Sequence, residues 1–195
     1  MLDAATEVIA ERGIAATRIA DVAERAGTSP PAVLYWFDSK DELLTEALAH
    51  EEGRFRAQLV ERLDGTSASE RVAILIDASC GGSDWRLWME LWTRALHDRE
   101  AGRTRRELDR LWRREIATTV EAGQRAGEFA QADAGEVAAH LASFLDGLAV
   151  QVALGDPEMP IERMSELARQ MAERLLDCSL PAPEGYGDEV LEAVA

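Results

Sequence analysis

The chain has 195 residues, 47% hydrophobic and 30% charged, enough for one sizeable core or two small domains and too apolar for a disordered segment. Lys and Arg total 21 against 37 Asp and Glu, a formal charge of −16, which by itself disfavours phosphate-rich partners. No run approaches the roughly 18 apolar residues that span a bilayer. The opening residues, MLDAATEVIAERG, lack a basic segment followed by an apolar block, so a cytoplasmic protein with no membrane partner is expected.

Prolines 30, 31, 157, 160, 181 and 183 leave 32–156 uninterrupted, and Ala, Leu, Glu and Arg dominate. No segment alternates as a strand does. The expected fold class is all-α, with about nine helices. The first spans 2–12 and stops at Gly13. The second follows Thr17 and ends at Gly27. The third is capped by Ser29, starts on Pro30 and ends near Phe37. Ser39 with Glu42 forms a capping box for a helix reaching Leu63, and Ser67 with Glu70 repeats the pattern before RVAILIDASC. Ser83 opens DWRLWMELWTRALHD, and Gly102 separates it from a helix over 104–126. Asp133 and Glu136 open a helix to Leu154, and Pro160 starts one with Ile161, Met164, Leu167, Ala168, Met171 and Leu175 in register. Residues 181–195 read as a tail with one helical turn at 188–194.

Residues 17–44, TRIADVAERAGTSPPAVLYWFDSKDELL, have helix-turn-helix geometry. Ala23 is small where two helices must cross, and Gly27, four residues later, suits a tight turn. Val22, Ala26, Val33 and Phe37 supply a mini-core. The second short helix would offer Thr28, Ser29, Pro30, Pro31 and Ala32 to base edges in a major groove, with Tyr35 and Trp36 on sugar and phosphate. Lys40 sits at the next helix start, where backbone N–H groups also favour an anion.

The run Leu34-Tyr35-Trp36-Phe37-Asp38-Ser39-Lys40-Asp41-Glu42-Leu43-Leu44 resembles the DNA-binding domain of tetracycline-repressor-like (TetR) regulators. The likeness covers residues 1–48. The segment WRLWMELWTRAL, Gly127-Glu128-Phe129 and Asp146-Gly147-Leu148 resemble the ligand-binding domain of the BetI-type subgroup. The resemblance implies a DNA-binding domain at 1–48, a larger helical ligand-binding and dimerisation domain at 49–180, and a tail at 181–195. It implies a double-stranded DNA operator, a small-molecule effector and a homodimer as partners, and no cofactor.

Two departures stand out. Leu34 replaces a Tyr usual in the family, and Arg18, with Thr17 just before it, falls where the family usually has a Ser or Thr; Thr17 and Arg18 are both expected to reach phosphate. Residues 1–50 hold four cations (Arg12, Arg18, Arg25, Lys40) and nine acids. A DNA-binding face must therefore concentrate its cations locally.

In the sensor, Trp85, Trp88 and Trp92 share one helical stripe. With Met89, Trp112 and Phe144 they are expected to wall a cavity, and Asp146, His97 and His140 are candidate polar anchors. An acid facing such a wall would favour a cationic effector. Seven arginines between Arg99 and Arg114 alternate with acids and read as a solvated helix face. Under the resemblance, the helices over 133–155 and 160–178 make the dimer interface, through Leu141, Leu145, Leu148, Val152, Met164 and Met171.

No nucleophile–base pair, phosphate loop or metal spacing is present, so no enzyme and no catalytic residue is expected. Cys80 and Cys178 lie far apart and read as small apolar fillers. The expected function is a ligand-responsive regulator, a repressor released from a palindromic operator by its effector. The competing reading is a helical ligand-binding or interaction protein without sequence-specific DNA binding, favoured only by the acidic balance.

Overall fold

The computed structural model describes residues 1–81 and 85–182. Among them the chain forms helices and no strand. The helices are α1 (Leu2–Ala16), α2 (Ile19–Arg25), α3 (Pro30–Trp36), α4 (Lys40–Leu63), α5 (Ala68–Gly81), α6 (Trp85–Ala95), α7 (Arg99–Ala126), α8 (Ala134–Ala153) and α9 (Ile161–Leu176). Ser83 as a helix start and the helical turn at 188–194 lie outside the described residues.

The capping chemistry read from sequence explains several starts. The Ser29 hydroxyl accepts from the Ala32 N–H, with Pro30 and Pro31 opening α3. Ser39 Oγ accepts from the Glu42 N–H at 3.0 Å, but the Glu42 carboxylate reaches back to the Asp38 N–H, one residue short of a reciprocal box. Ser67 and Glu70 make the full box, at 3.2 and 2.7 Å.

Gly13 interrupts the first helix as expected, at the non-helical φ +74° and ψ 158°, and the helical path resumes beyond it to Ala16. One boundary differs from expectation. Gly102 does not separate α6 from α7. Asp98 does, its carboxylate accepting from the N–H groups of Glu100 (2.7 Å) and Ala101 (3.4 Å). Gly102 lies buried inside α7, where a Cβ would meet the Ala95 carbonyl oxygen at 3.6 Å.

The chain divides into two compact units: Met1–Ala57 with Asp84–Leu108, and Gln58–Ser83 with Asp109–Ala195. In the first, α2 packs on α1 and α3, and α6 packs on α1. Val8, Val22, Ala23, Val33, Leu43 and Leu44 form its centre, together with Leu91 and Ala101. Ala26, Phe37 and Trp88 pack against this cluster from its edge.

In the second unit, α9 packs on α8 and α5, and α5 also meets α8. Leu75, Ile76, Leu141, Leu145, Met164 and Leu176 are fully buried there. The Gly127-Glu128-Phe129 segment acts as a clasp. Its Glu128 carboxylate accepts from the Ala68 and Ser69 N–H groups at the start of α5, at 3.2 and 2.9 Å. The Phe129 ring is buried so close to Gly123 that a Cβ there would stand 2.2 Å from it. Arg169 of α9 forms a bidentate pair with Asp77 of α5, at 2.8 and 2.7 Å, and also donates to the Pro181 carbonyl oxygen. Cys80 is buried and Cys178 half-buried in this unit, both as thiols. Burial and the nearby Glu173 and Asp177 charges push the Cys178 thiol up.

Candidate DNA-binding and effector sites

The turn between α2 and α3 forms as its residue types require. Ala23 and Val22 are fully buried, and the Ala23 carbonyl oxygen accepts from the Thr28 N–H at 2.8 Å. Gly27 takes φ +65°, which a β-carbon would strain. Val33 is α3's only fully buried residue, so the rest of the helix faces outward. Leu34, Tyr35 and Trp36 are 49%, 81% and 68% exposed, and the two rings meet edge to face at 5.4 Å. Thr28, Ser29, Pro30 and Pro31 are exposed and Ala32 half-buried. A short helix thus presents its start and its aromatic end to solvent, supported by one valine and the turn.

The charges of this region are unevenly committed. Arg25 pairs with Glu7 at 2.9 Å and Glu11 at 2.7 Å, and Arg12 with Asp21 at 3.0 Å. The Glu11 hydrogen bond, and then that of Glu7, raises the Arg25 guanidinium further. Arg18 is exposed and makes no ion pair among the described residues. Lys40, half-buried, is the first residue of α4. The Arg94 guanidinium donates to the Asp41 carbonyl oxygen at 3.1 Å, steadying that helix start.

Thr17 is a correction. It is 1% exposed, and its hydroxyl donates to the Gly13 carbonyl oxygen at 2.8 Å. The Thr17 N–H donates to the same carbonyl at 3.1 Å, so the backbone and the side chain of Thr17 both turn inward onto it. The hydroxyl cannot also reach a phosphate, so Arg18 alone remains of that pair.

The predicted effector residues fall in both units. Trp85, Trp88, Met89 and Trp92 share one face of α6 in the first unit, all half-buried. Trp92 Nε1 is buried without a hydrogen-bond partner. Trp112, Phe144 and Asp146, also half-buried, belong to the second unit. Phe144 and Asp146 stand about 200° apart around α8, flanking its buried stripe on opposite sides, so they do not face one point. His97 and His140 are exposed. A depression of about 340 Å³ in the second unit is lined by Glu121, Gln124, Arg125 and Gln131. Its Gln124 amide is committed to the Ala130 and Ala132 carbonyl oxygens, and the depression has no aromatic residue in its lining.

The dimer-interface prediction also needs correction. Leu141, Leu145, Leu148 and Met164 are at most 5% exposed within a single chain. They pack α8 and α9 into their own unit and have no surface left for a partner. The apolar stripe was real, but one stripe cannot serve both core and interface. Val152 and Met171 are half-buried and retain an outward edge.

No described helix is long and apolar enough to cross a membrane. The outward-facing α3 on a glycine-turn scaffold finds its counterpart among known families. A family model for bacterial regulatory proteins of the tetR family matches residues 1–47. A second, for the C-terminal part of BetI-type transcriptional repressors, matches residues 72–177. The chain belongs to the TetR family. It is a BetI-like, ligand-responsive, DNA-binding transcriptional repressor. Among curated relatives, the HTH-type transcriptional regulator BetI of Burkholderia mallei is 27% identical over 183 residues, covering 90% of this chain and 91% of its own. BetI of Cronobacter sakazakii is 26% identical over 189 residues, covering 93% and 91%. A transcriptional regulator from Saccharomonospora viridis, solved in complex with choline, superposes with TM-score 0.81 at 29% identity, covering 90% of this chain and 94% of that one. A TetR regulator from Haloarcula marismortui gives 0.78 at 25% identity, covering 92% and 96%.

Sequence reasoning missed two features. One is the Gly127-Glu128-Phe129 clasp, noticed only as a resemblance although its role is to hold α5. The other is Glu52, which the apolar spacing of α4 could have flagged as a charge inside a buried stripe.

Proposed function

We propose that this regulator acts as a cytoplasmic homodimer on a palindromic operator and leaves it when a small cationic effector binds against the aromatic face of α6. The observation that carries the DNA reading is the exposure of Tyr35 and Trp36 beside a helix start in which Val33 alone is buried. Two large exposed aromatics on a seven-residue helix are a surface awaiting a partner. Thr28 to Ala32 read the bases, while Tyr35, Trp36, Arg18 and Lys40 hold sugar and phosphate. Two-fold symmetry sets two such helices on adjacent major-groove faces. The outward edges of Val152 and Met171 on α8 and α9 belong to the dimer contact. The α6 tryptophans suit a cationic effector, because aromatic faces attract cations that shed their water. The choline bound by the Saccharomonospora viridis regulator supports that class.

Gel shifts with DNA flanking the protein's own gene, repeated across salt concentrations, test the reading. Specific binding should weaken steeply with salt and be relieved by choline. Lys40→Ala should weaken specific and random DNA alike and lower the salt slope by about one. Substitution of Pro31 or Ala32 should instead change preference among operator variants, by roughly 1–3 kcal/mol per affected base pair. Binding without salt dependence would sink the phosphate roles. A monomer mass by light scattering at working concentration would sink the palindromic arrangement.

A further inference from the structure

The start of α4 is crowded with acids. Asp38, Asp41 and Glu42 all stand within two residues of Lys40, and the Asp41 side chain is 71% exposed. Such a start repels a phosphate, even though its backbone N–H groups favour one. The charge that offsets it comes from α6. The Arg94 guanidinium donates to the Asp41 carbonyl oxygen at 3.1 Å and lies 4.0 Å from the Asp41 carboxylate. Its other neighbour is the Asp98 carboxylate at 3.8 Å, whose second oxygen accepts from the Glu100 and Ala101 N–H groups that open α7. Arg94 is thus held between two helix starts, and its side chain is only 15% exposed. One turn before it, Leu91 is fully buried in the same cluster as Leu43 and Leu44, which lie one turn after Lys40. Apolar packing therefore sets α6 against the first turns of α4, and Arg94 extends that contact to the helix start. The guanidinium fork reaches carbonyl and carboxylate together, which a single ammonium does less well.

We propose that Arg94 is a positioning residue for DNA binding: from α6 it offsets the Asp41 charge and holds the first turn of α4, so that Lys40 takes a phosphate. This rests on the reading of Lys40 as a phosphate contact. It also answers the charge imbalance of residues 1–50, where Arg12 and Arg25 are already engaged by Asp21, Glu7 and Glu11. The DNA-binding face draws a further cation from far outside the helix-turn-helix segment. Residues 84–108 share one compact unit with residues 1–57, so Arg94 belongs to the same body as α3 and the start of α4. Its low exposure leaves it behind the surface, and its effect passes through Asp41 and Lys40. Phosphates carry no base information, so that effect is the same for any DNA sequence.

The test is gel-shift titration of the full chain across salt concentrations, with DNA flanking its own gene and with random DNA. Circular dichroism checks the fold of each variant. Arg94→Met should weaken binding to both DNAs by about three- to tenfold and lower the salt slope toward that of Lys40→Ala. Adding Asp41→Asn removes the uncovered carboxylate and should restore part of the affinity, and Arg94→Lys should lose less than Arg94→Met. In a Lys40→Ala background, Arg94→Met should cost little more, because both act on one contact. If Lys40→Ala weakens binding while Arg94→Met binds like wild type, or costs as much without Lys40 as with it, the role of Arg94 is overturned and that of Lys40 stands. If Lys40→Ala changes nothing, the phosphate reading falls and Arg94 with it. Should Arg94→Met fail to fold, the gain from Asp41→Asn carries the test: it should be larger beside Arg94→Lys than in wild type, and equal gains overturn the proposal.

Discussion

The two compact units handle charge in opposite ways. In the first, Arg25, Glu7, Glu11, Arg12 and Asp21 pair at the surface, around a centre made of valine, leucine and alanine. In the second, Arg169 and Asp77 pair in the interior, at 10% and 9% side-chain exposure, across 92 residues of sequence. Exposed pairs contribute about 0–1 kcal/mol, whereas stripping one partner from a buried pair costs about 3–5 kcal/mol. The first unit is thus held by apolar packing, which leaves its surface charges to tune the approach to DNA. The second is held to one arrangement by polar contacts that exist only when distant segments meet. Glu52 is the exception in the first unit, a buried acid in an otherwise apolar stripe.

The largest effect expected from this contrast is on the buried pair. Arg169→Met should destabilise the protein by about 3–5 kcal/mol in denaturant unfolding, because Asp77 is left charged and buried. Replacing both partners with apolar residues should recover most of the loss. If the double variant is no better than the single one, the pair is more than a matched charge. Replacing Arg25 with Met should leave the unfolding midpoint nearly unchanged, because its ion pairs lie at the surface.

Next in size is a pH effect. Glu52 binds its proton more tightly folded, at about 7, than unfolded, at 4.5. Between those values the folded state holds the extra proton, so this group's stabilisation is full below the unfolded value and is lost as pH rises toward 7. The loss should reach up to about 3 kcal/mol. Glu52→Gln removes the titration, so the gap in stability between variant and wild type should widen in the variant's favour from about pH 5 to about pH 8. A constant gap would mean that the carboxyl is ionised inside the fold. Glu128 has the opposite sign. The Ser69 N–H, first, and the Ala68 N–H hold its carboxyl low, so its contribution is present at neutral pH and fades as the solution is acidified through the lowered value.

Gly123→Ala places a methyl group against the Phe129 ring and should cost about 1–3 kcal/mol by overpacking. Shrinking Phe129 to Leu in the same chain should recover part of this. Additive losses would show that ring and glycine do not compete for one space.

The smallest change is confined to DNA binding. Arg18→Ala should lower the salt slope of binding by about one, and Arg25→Ala, already engaged by two glutamates, by much less. Equal slopes would mean that the acids release Arg25 when DNA arrives.

What the sequence alone determined is local. Helix starts at Ser29, Ser39, Ser67 and Asp133, the turn at Gly27 and the outward face of α3 follow from neighbouring residues, because caps, turns and periodicity act over one helical turn. The tertiary structure decided what each stripe faces. The apolar series of α8 and α9 was visible, yet periodicity cannot distinguish a face turned to its own core from one turned to a second copy. The same limit hid the burial of Thr17, whose hydroxyl turns inward onto the Gly13 carbonyl oxygen, and the place of Gly102 inside α7. Long-range polar partners such as Asp77 with Arg169, or Glu128 with the start of α5, were out of reach because nothing local in either partner names the other. Such pairs are chosen by desolvation, and what is removed from water is settled only when the chain closes on itself.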